Sequence, residues 1–354
     1  MDTSSLLPAF QASGPFATAL VDVSHDSETG AHAHELRVRE VCDALTTAGA
    51  GPDVVEPVRD RLLDVVHWPA PVARLVVANA DGVLVDAAHA SRVDRSLGTW
   101  SALPDLATWV RQRAGDRTFV LALVDHTGGR VSVHDSATPA PLDTTEVTGQ
   151  TLHVQQVASD DWANLKYQHT TENVWAANAE EVAEAIRGRV AAGHDLVLLA
   201  GDPQSRPLVR ESLGDQIHVV ELDTGSRSAD GGDAALDEAV RHALNNEAMA
   251  IHLELQRELS ERLGRGEGAA SGVDAVADAL VRGQVEVLLL DPDEAAGCTL
   301  DVGSHPGFPV GELGVVPADQ GLIAAAVLTG AQVSPLPARA LGGAPVAALL
   351  RWAA

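Results

Sequence analysis

The strongest constraint on the fold is an alternation of short, β-branched apolar runs with stretches of helical spacing. "HDLVLLAGDP" (His194–Pro203) reads as a strand ending in a turn, "QSRPLVRESL" (Gln204–Leu213) as a helix and "QIHVVEL" (Gln216–Leu222) as a strand. Apolar runs of this length suit strands covered by helices, and their alternation with amphipathic stretches gives an α/β fold. The 354 residues are enough for two or three such domains, and a hydrophobic content of 45% lets each bury a core.

The pattern divides the chain into three segments. In residues 1–115, "FATALVDVS" (Phe16–Ser24) reads as a buried strand. "HAHELRVREVCDALTTAG" (His32–Gly49) reads as a helix with Leu36, Val41 and Leu45 on one face. "ARLVVANADGVLVDA" is a hairpin turning at Asp81-Gly82, and "LPDLATWVRQRAGD" a short helix starting at Pro104. In residues 116–224, "TFVLALVDHTGGRVSVHD" is a hairpin turning at Gly128-Gly129, and "TLHVQQV" (Thr151–Val157) a strand. A helix capped by Thr171 follows, with Val174, Ala177, Val182 and Ile186 as its apolar stripe and Trp175 on its core face. After the polar linker "DTGSRSADGG", residues 233–354 open on a long helix from Asp233. "VDAVADALVRG" and "QVEVLLLDPD" then form a helix–strand unit, "DQGLIAAAVLTGAQVSPLP" repeats it, and "APVAALLRW" closes the segment as a strand.

Several function classes recede on composition. A formal net charge of −26 repels nucleic acid unless basic groups are locally concentrated. No apolar run reaches the ~18–20 residues of a membrane span, and "MDTSSLLPAF" lacks the pattern of a signal peptide, so a soluble, cytoplasmic protein is expected. Cys42 and Cys298 are too few and too far apart for a disulfide framework. His25, His32 and His34, with Asp22, Asp26 and Glu35, lack the fixed spacing of a metal site and read as solvated loop and helix-start residues. "AGDPQS" lacks the glycine spacing and lysine of a phosphate loop, and no nucleophile elbow is present. Neither a metal nor a cofactor is expected.

One stretch stands apart. "KYQHTTENVW" holds the only lysine, Lys166, and the only tyrosine, Tyr167, of the chain. Read as a loop before the helix, Lys166, Tyr167, Gln168, His169, Thr170 and Thr171 combine a cation, a stacking ring and donor groups, the means of gripping phosphate and unpaired bases in RNA. Other basic positions that could touch RNA are Arg92, Arg95, Arg111, Arg113, Arg117, Arg187 and Arg189.

The order of these segments resembles the archaeal and eukaryotic class-1 peptide-chain release factors and Pelota. It is more similar still to the bacterial release-factor-like family that includes the ribosome hibernation factor Balon and its mycobacterial relatives. The matching pieces are "TFVLALVDHTGGRVSVHD", "KYQHTTENVWAANAEEVAEAI", "DLVLLAGDP", "GQVEVLLLDPD" and "GAQVSPLP". The resemblance implies a three-domain tRNA mimic (1–115, 116–224 and 233–354), a monomer whose partners are the ribosome and elongation factor Tu. In release factors the loop before the long middle helix carries Gly-Gly-Gln, which positions a water on the peptidyl ester. Here "YQHTTEN" (Tyr167–Asn173) has neither glycine, so Gln168 is not carried over as catalytic. The expectation is a non-enzymatic hibernation factor in the A site of idle or stalled ribosomes. The alternatives are a peptidyl-tRNA hydrolase or rescue factor with a diverged loop, and a stress-associated nucleotide- or protein-binding module.

Overall fold

A computed structural model describes residues 4–25, 28–149, 161–224 and 233–352. The chain divides into two compact units, Met1–Gly115 together with Ala248–Ala354, and Asp116–Glu247. Of the three segments read in the sequence, the first shares one unit with the third from Ala248 onward, while the start of the third, Asp233–Glu247, belongs with the second. The expected strand at Thr151–Val157 and most of the linker "DTGSRSADGG" lie outside the described residues.

The N-terminal part of the first unit holds α1 (Leu7–Gln11), β1 (Phe16–Asp22), α2 (Glu28–Thr47), α3 (Pro52–Leu63), β2 (Ala73–Asn79), β3 (Gly82–His89), β4 (Leu97–Ser101) and α4 (Ala107–Gln112). The strands form an antiparallel sheet in the order β3-β2-β1-β4. Successive side chains of a strand point to opposite faces, and here both faces are covered. Ala17, Ala19 and Val21 pack with Val41, Leu45, Val55 and Val58 of α2 and α3. Phe16 and Leu20 share a core with Leu322 and Ile323, near the far end of the sequence. That two-sided burial is why β1 is mostly apolar rather than alternating, with Thr18 and the terminal Asp22 as its polar residues. The phase of α2 differs from expectation: His34, Val38, Val41, Cys42 and Leu45 are buried, whereas Leu36 is exposed. Helix α4 begins at Ala107, so Pro104 precedes it rather than opening it.

The second unit carries β5 (Thr118–Asp125), β6 (Gly128–Asp135), β7 (Asp143–Thr148), α5 (Asp161–Ala191), β8 (Leu196–Gly201), α6 (Ser205–Leu213) and β9 (His218–Glu221). Its mixed sheet runs β7-β6-β5-β8-β9, with β5, β8 and β9 parallel. Val120, Ala122 and Val124 meet Val182, Ile186 and Val209 of α5 and α6 on one face. Phe119, Leu121 and Leu123 meet Leu236 and Ala243 on the other, from the first half of α7 (Asp233–Arg265). The β5–β6 hairpin pairs Asp125 with Gly128, so His126 and Thr127 make the turn, not Gly128-Gly129. Asp125 Oδ1 accepts from the Thr127 backbone N–H and hydroxyl, each at 2.6 Å, which supplies the local turn chemistry. Gly128 is needed for another reason: its φ is +139°, and a Cβ there would lie 2.1 Å from the Val147 carbonyl oxygen.

The rest of the first unit contains β10 (Ala269–Ser271), α8 (Val273–Val281), β11 (Val285–Leu290), α9 (Pro292–Ala296), β12 (Thr299–Asp301), β13 (Val315–Pro317), α10 (Ala318–Leu328), β14 (Gln332–Pro335) and β15 (Val346–Leu350). The sheet order is β10-β15-β11-β14. Leu259 in the second half of α7 packs with Leu289 and Leu349, while Leu288, Leu290 and Ala348 face the core shared with β1. Asp319 opens α10 at 3% exposure, and its Oδ1 has no described partner. Burial, with the Asp105 charge as a lesser push, raises its carboxyl to about 6, against backbone hydrogen bonds that act the other way. Burial likewise pushes Asp105 up. Among the described residues no helix is long and apolar enough to cross a membrane.

Candidate functional site

Lys166 to Thr171 lie inside α5, not in a loop before it: the helix starts at Asp161 and runs unbroken for 31 residues. The physical reason lies in the sequence. From Asp161 to Arg187 there is no glycine or proline to end a helix, and Ala, Leu, Lys, Gln and Glu all favour one. Thr171 is therefore an interior position of the helix and not its N-cap. The side chains of Lys166, Tyr167, Gln168, His169, Thr170 and Thr171 fall outside the described residues.

Further along α5 the packing face is Ala179, Val182, Ala183 and Ile186, with Val174 half-buried and Ala177 exposed, which corrects the expected stripe. Trp175 is also half-buried rather than core. Its ring lies 5.8 Å from that of His126 in the β5–β6 turn, and buried Asn178 fixes the same turn by donating from Nδ2 to the His126 carbonyl at 2.9 Å. The helix thus holds the hairpin tip through one buried amide and one partly exposed ring.

Most of the arginines singled out by charge are already engaged. Arg117 pairs with Asp195 at 2.9 Å and Glu247 at 3.5 Å. Arg187 pairs with Glu180 at 2.6 Å and Glu184 at 2.8 Å, and donates to the Ser212 carbonyl. Hydrogen bonds from that guanidinium hold the Glu180 carboxyl below its usual range. Arg189 bonds Thr145 Oγ1 at 2.7 Å and pairs with Asp143. Arg113 lies over the Trp109 ring, 5.5 Å from its centroid. These side chains mainly staple their own unit.

Arg92, Arg95 and Arg111 behave differently. They line one cavity of about 640 Å³ between α2, β4 and α4. Arg92 lies 3.4 Å from Asp94, both nearly fully exposed, and Arg111 bonds exposed Asp293 at 2.8 Å. No ion pair to Arg95 occurs among the described residues. Glu40, Thr99 and Gln112 also line the cavity. Thr99 Oγ1 and Gln112 Oε1 are buried without a described partner, although Gln112 Nε2 donates to the Arg92 carbonyl at 3.1 Å. Charge alone singled out the three arginines, but no sequence signal marked Glu40, Thr99 or Gln112 as their neighbours.

The remaining candidates resolve into structure. His34 is buried in α2, donates from Nε2 to the Leu62 carbonyl at 2.8 Å and meets the His25 ring edge-on at 4.6 Å. Burial foremost, then His25, lowers its pKa, so it stays neutral. His32 and Glu35 are exposed, Asp22 pairs with Arg37 at 3.8 Å, and Asp26 lies outside the described residues. Among the described residues no three His, Cys, Asp or Glu side chains converge as metal ligands. In "AGDPQS", Asp202 Oδ2 accepts from Gln204 N, Ser205 N and Ser205 Oγ. A carboxylate therefore occupies the amides that a phosphate would need, which leaves an ordinary capped turn.

Residues 118–265 match the family model of the bacterial archaeo-eukaryotic release factor family 2. The match runs from the first residue of β5 to the last of α7, and bears out the release-factor likeness seen in the sequence. The uncharacterized protein Rv2629 of Mycobacterium tuberculosis strain H37Rv is 26% identical over 359 residues, covering 97% of this chain and 95% of that protein. Among solved structures, ribosome-bound archaeal Pelota in a model with ABCE1 is 15% identical, covering 98% and 92% of the two chains at a TM-score of 0.43. Pelota from Archaeoglobus fulgidus is 16% identical, covering 79% of each chain at a TM-score of 0.36.

Proposed function

We propose that this protein is a release-factor-like translation factor that binds the ribosome without releasing peptide. In this reading it is a tRNA mimic in the A site of idle or stalled ribosomes, preserves them during dormancy, and is delivered as a cytoplasmic monomer with elongation factor Tu. The observation that carries it is α5. The release-factor match spans this helix, and Tyr167–Asn173, which the resemblance sets against the Gly-Gly-Gln loop of release factors, is helical and holds no glycine. A helix holds its backbone amides in its own hydrogen bonds, so it cannot present the glycine-dependent backbone that positions a hydrolytic water. A release-factor likeness without that glycine pair supports binding without chemistry.

Ribosomes from stationary-phase cells, pelleted through sucrose, provide the test. The protein should travel with them, and purified protein should leave peptidyl-tRNA on programmed ribosomes intact. Absence from the ribosome pellet overturns the reading. Peptide release far above spontaneous ester hydrolysis, lost on Gln168→Ala, would instead identify a hydrolase.

A further inference from the structure

We infer that the cavity between α2, β4 and α4 is a binding site for a free nucleoside diphosphate. The inference goes beyond the ribosome reading and does not depend on it. Its volume of about 640 Å³ falls within the ~300–1,000 Å³ of small-molecule sites. In a chain of net charge −26, three guanidinium groups against two carboxylates, Glu40 and Asp94, leave this cavity a local excess of positive charge. Arg95 has no ion pair among the described residues. The partners of Arg92 and Arg111, Asp94 and Asp293, are solvent-exposed carboxylates that a bound phosphate can outcompete. Planar guanidinium groups bind phosphate oxygens bidentately, so the arginines define the diphosphate end.

The remaining lining fits the rest of such a ligand. Gln112 Oε1 can only accept a hydrogen bond, Glu40 is an acceptor when ionised, and the buried Thr99 Oγ1 lacks a partner. Gln112 Oε1 and Glu40 call for hydroxyl or amino donors on the ligand, such as a ribose or base supplies, while the Thr99 hydroxyl can donate or accept. Val41, Ala44 and Leu97 give the apolar wall that a base would lie against. A longer polyanion is disfavoured, because each added phosphate meets the surrounding acidic surface with no further free cation in the cavity.

Calorimetric titration of the full chain with ADP, GDP, inorganic phosphate and a ten-residue single-stranded RNA tests this. One saturable site for ADP or GDP is expected, with inorganic phosphate and RNA binding at least roughly tenfold more weakly at the same salt. Arg95→Ala should weaken the nucleotide at least roughly tenfold. Ala44→Glu, an exposed helix position on the cavity wall, should weaken it also, whereas Arg130→Ala in the other unit should leave it unchanged. Unchanged melting temperatures establish that the variants fold. No nucleotide binding at millimolar concentration overturns the inference, as does binding indifferent to Arg95→Ala. RNA binding that requires Arg95 while ADP and GDP fail to bind also overturns it.

Discussion

Replacing Asp319 by Asn should make the protein more stable at neutral pH, and the gain should disappear on acidification. Asp319 is 3% exposed, and its Oδ1 has no described partner. Burial first, and the Asp105 charge second among the raising influences, lift its carboxyl from 3.8 to about 6. The folded-state value lies above the unfolded one, so this group costs nothing below about pH 4. The cost accumulates as the pH rises towards 6 and is constant above that. A shift of about two units corresponds to roughly 3 kcal/mol at pH 7. Asn keeps an acceptor for the backbone amides but a weaker one, so the net gain should be about 1–3 kcal/mol. For a unit of this size that is on the order of 2–4 °C in Tm per kcal/mol. Melting curves of both proteins at half-unit steps from pH 4 to 8 give the difference directly, free of the general repulsion that an acidic chain suffers as pH rises. A difference equal at pH 4 and pH 7, or an Asn variant less stable at pH 7, refutes the reasoning.

The two tryptophans should separate by burial. Trp109→Ala, at a ring 1% exposed, should cost about 3–5 kcal/mol in urea unfolding, while Trp175→Ala, half-buried against His126, should cost less than about 2 kcal/mol. Lys166→Ala and Tyr167→Ala place a strong helix former inside a helix, so melting should change by less than about 0.5 kcal/mol. Under the ribosome reading each should weaken co-sedimentation, Tyr167→Ala by roughly 1–3 kcal/mol if a base stack is lost. Normal binding by both variants would remove these residues from the interface.

What was readable in the sequence follows from how each element is covered. β1, β5, β8, β11 and β15 are buried on both faces, and that leaves unbroken apolar runs that periodicity detects. β7, with its run DTTEVT on the edge of its sheet, carries almost no apolar signal for periodicity to detect. In α2 the error was one of phase: Leu36 looks like core by type, but His34 takes the buried position because its ring can satisfy the Leu62 carbonyl. Hydropathy cannot anticipate that exchange, since it depends on a partner 28 residues away.

The candidate site illustrates a second limit. Arg187 and Arg189 stand out by charge, yet Arg187 is paired along its own helix with Glu180 and Glu184, and Arg189 with Asp143 and Thr145, which only the fold brings near. Arg92, Arg95 and Arg111 are gathered because α4 and the chain before β4 flank one cavity, a juxtaposition with no local sequence signature. α5 shows the opposite case, where local sequence carried the answer. Its first turns hold no helix breaker, and the cap-like Thr171 and the lack of an apolar pattern before it are what suggest a loop there. Glycine is the residue that readily permits a left-handed turn, and without one helix propensity runs on. In this chain the absence of any glycine or proline from Asp161 to Arg187 is what lets α5 run unbroken through Lys166–Thr171.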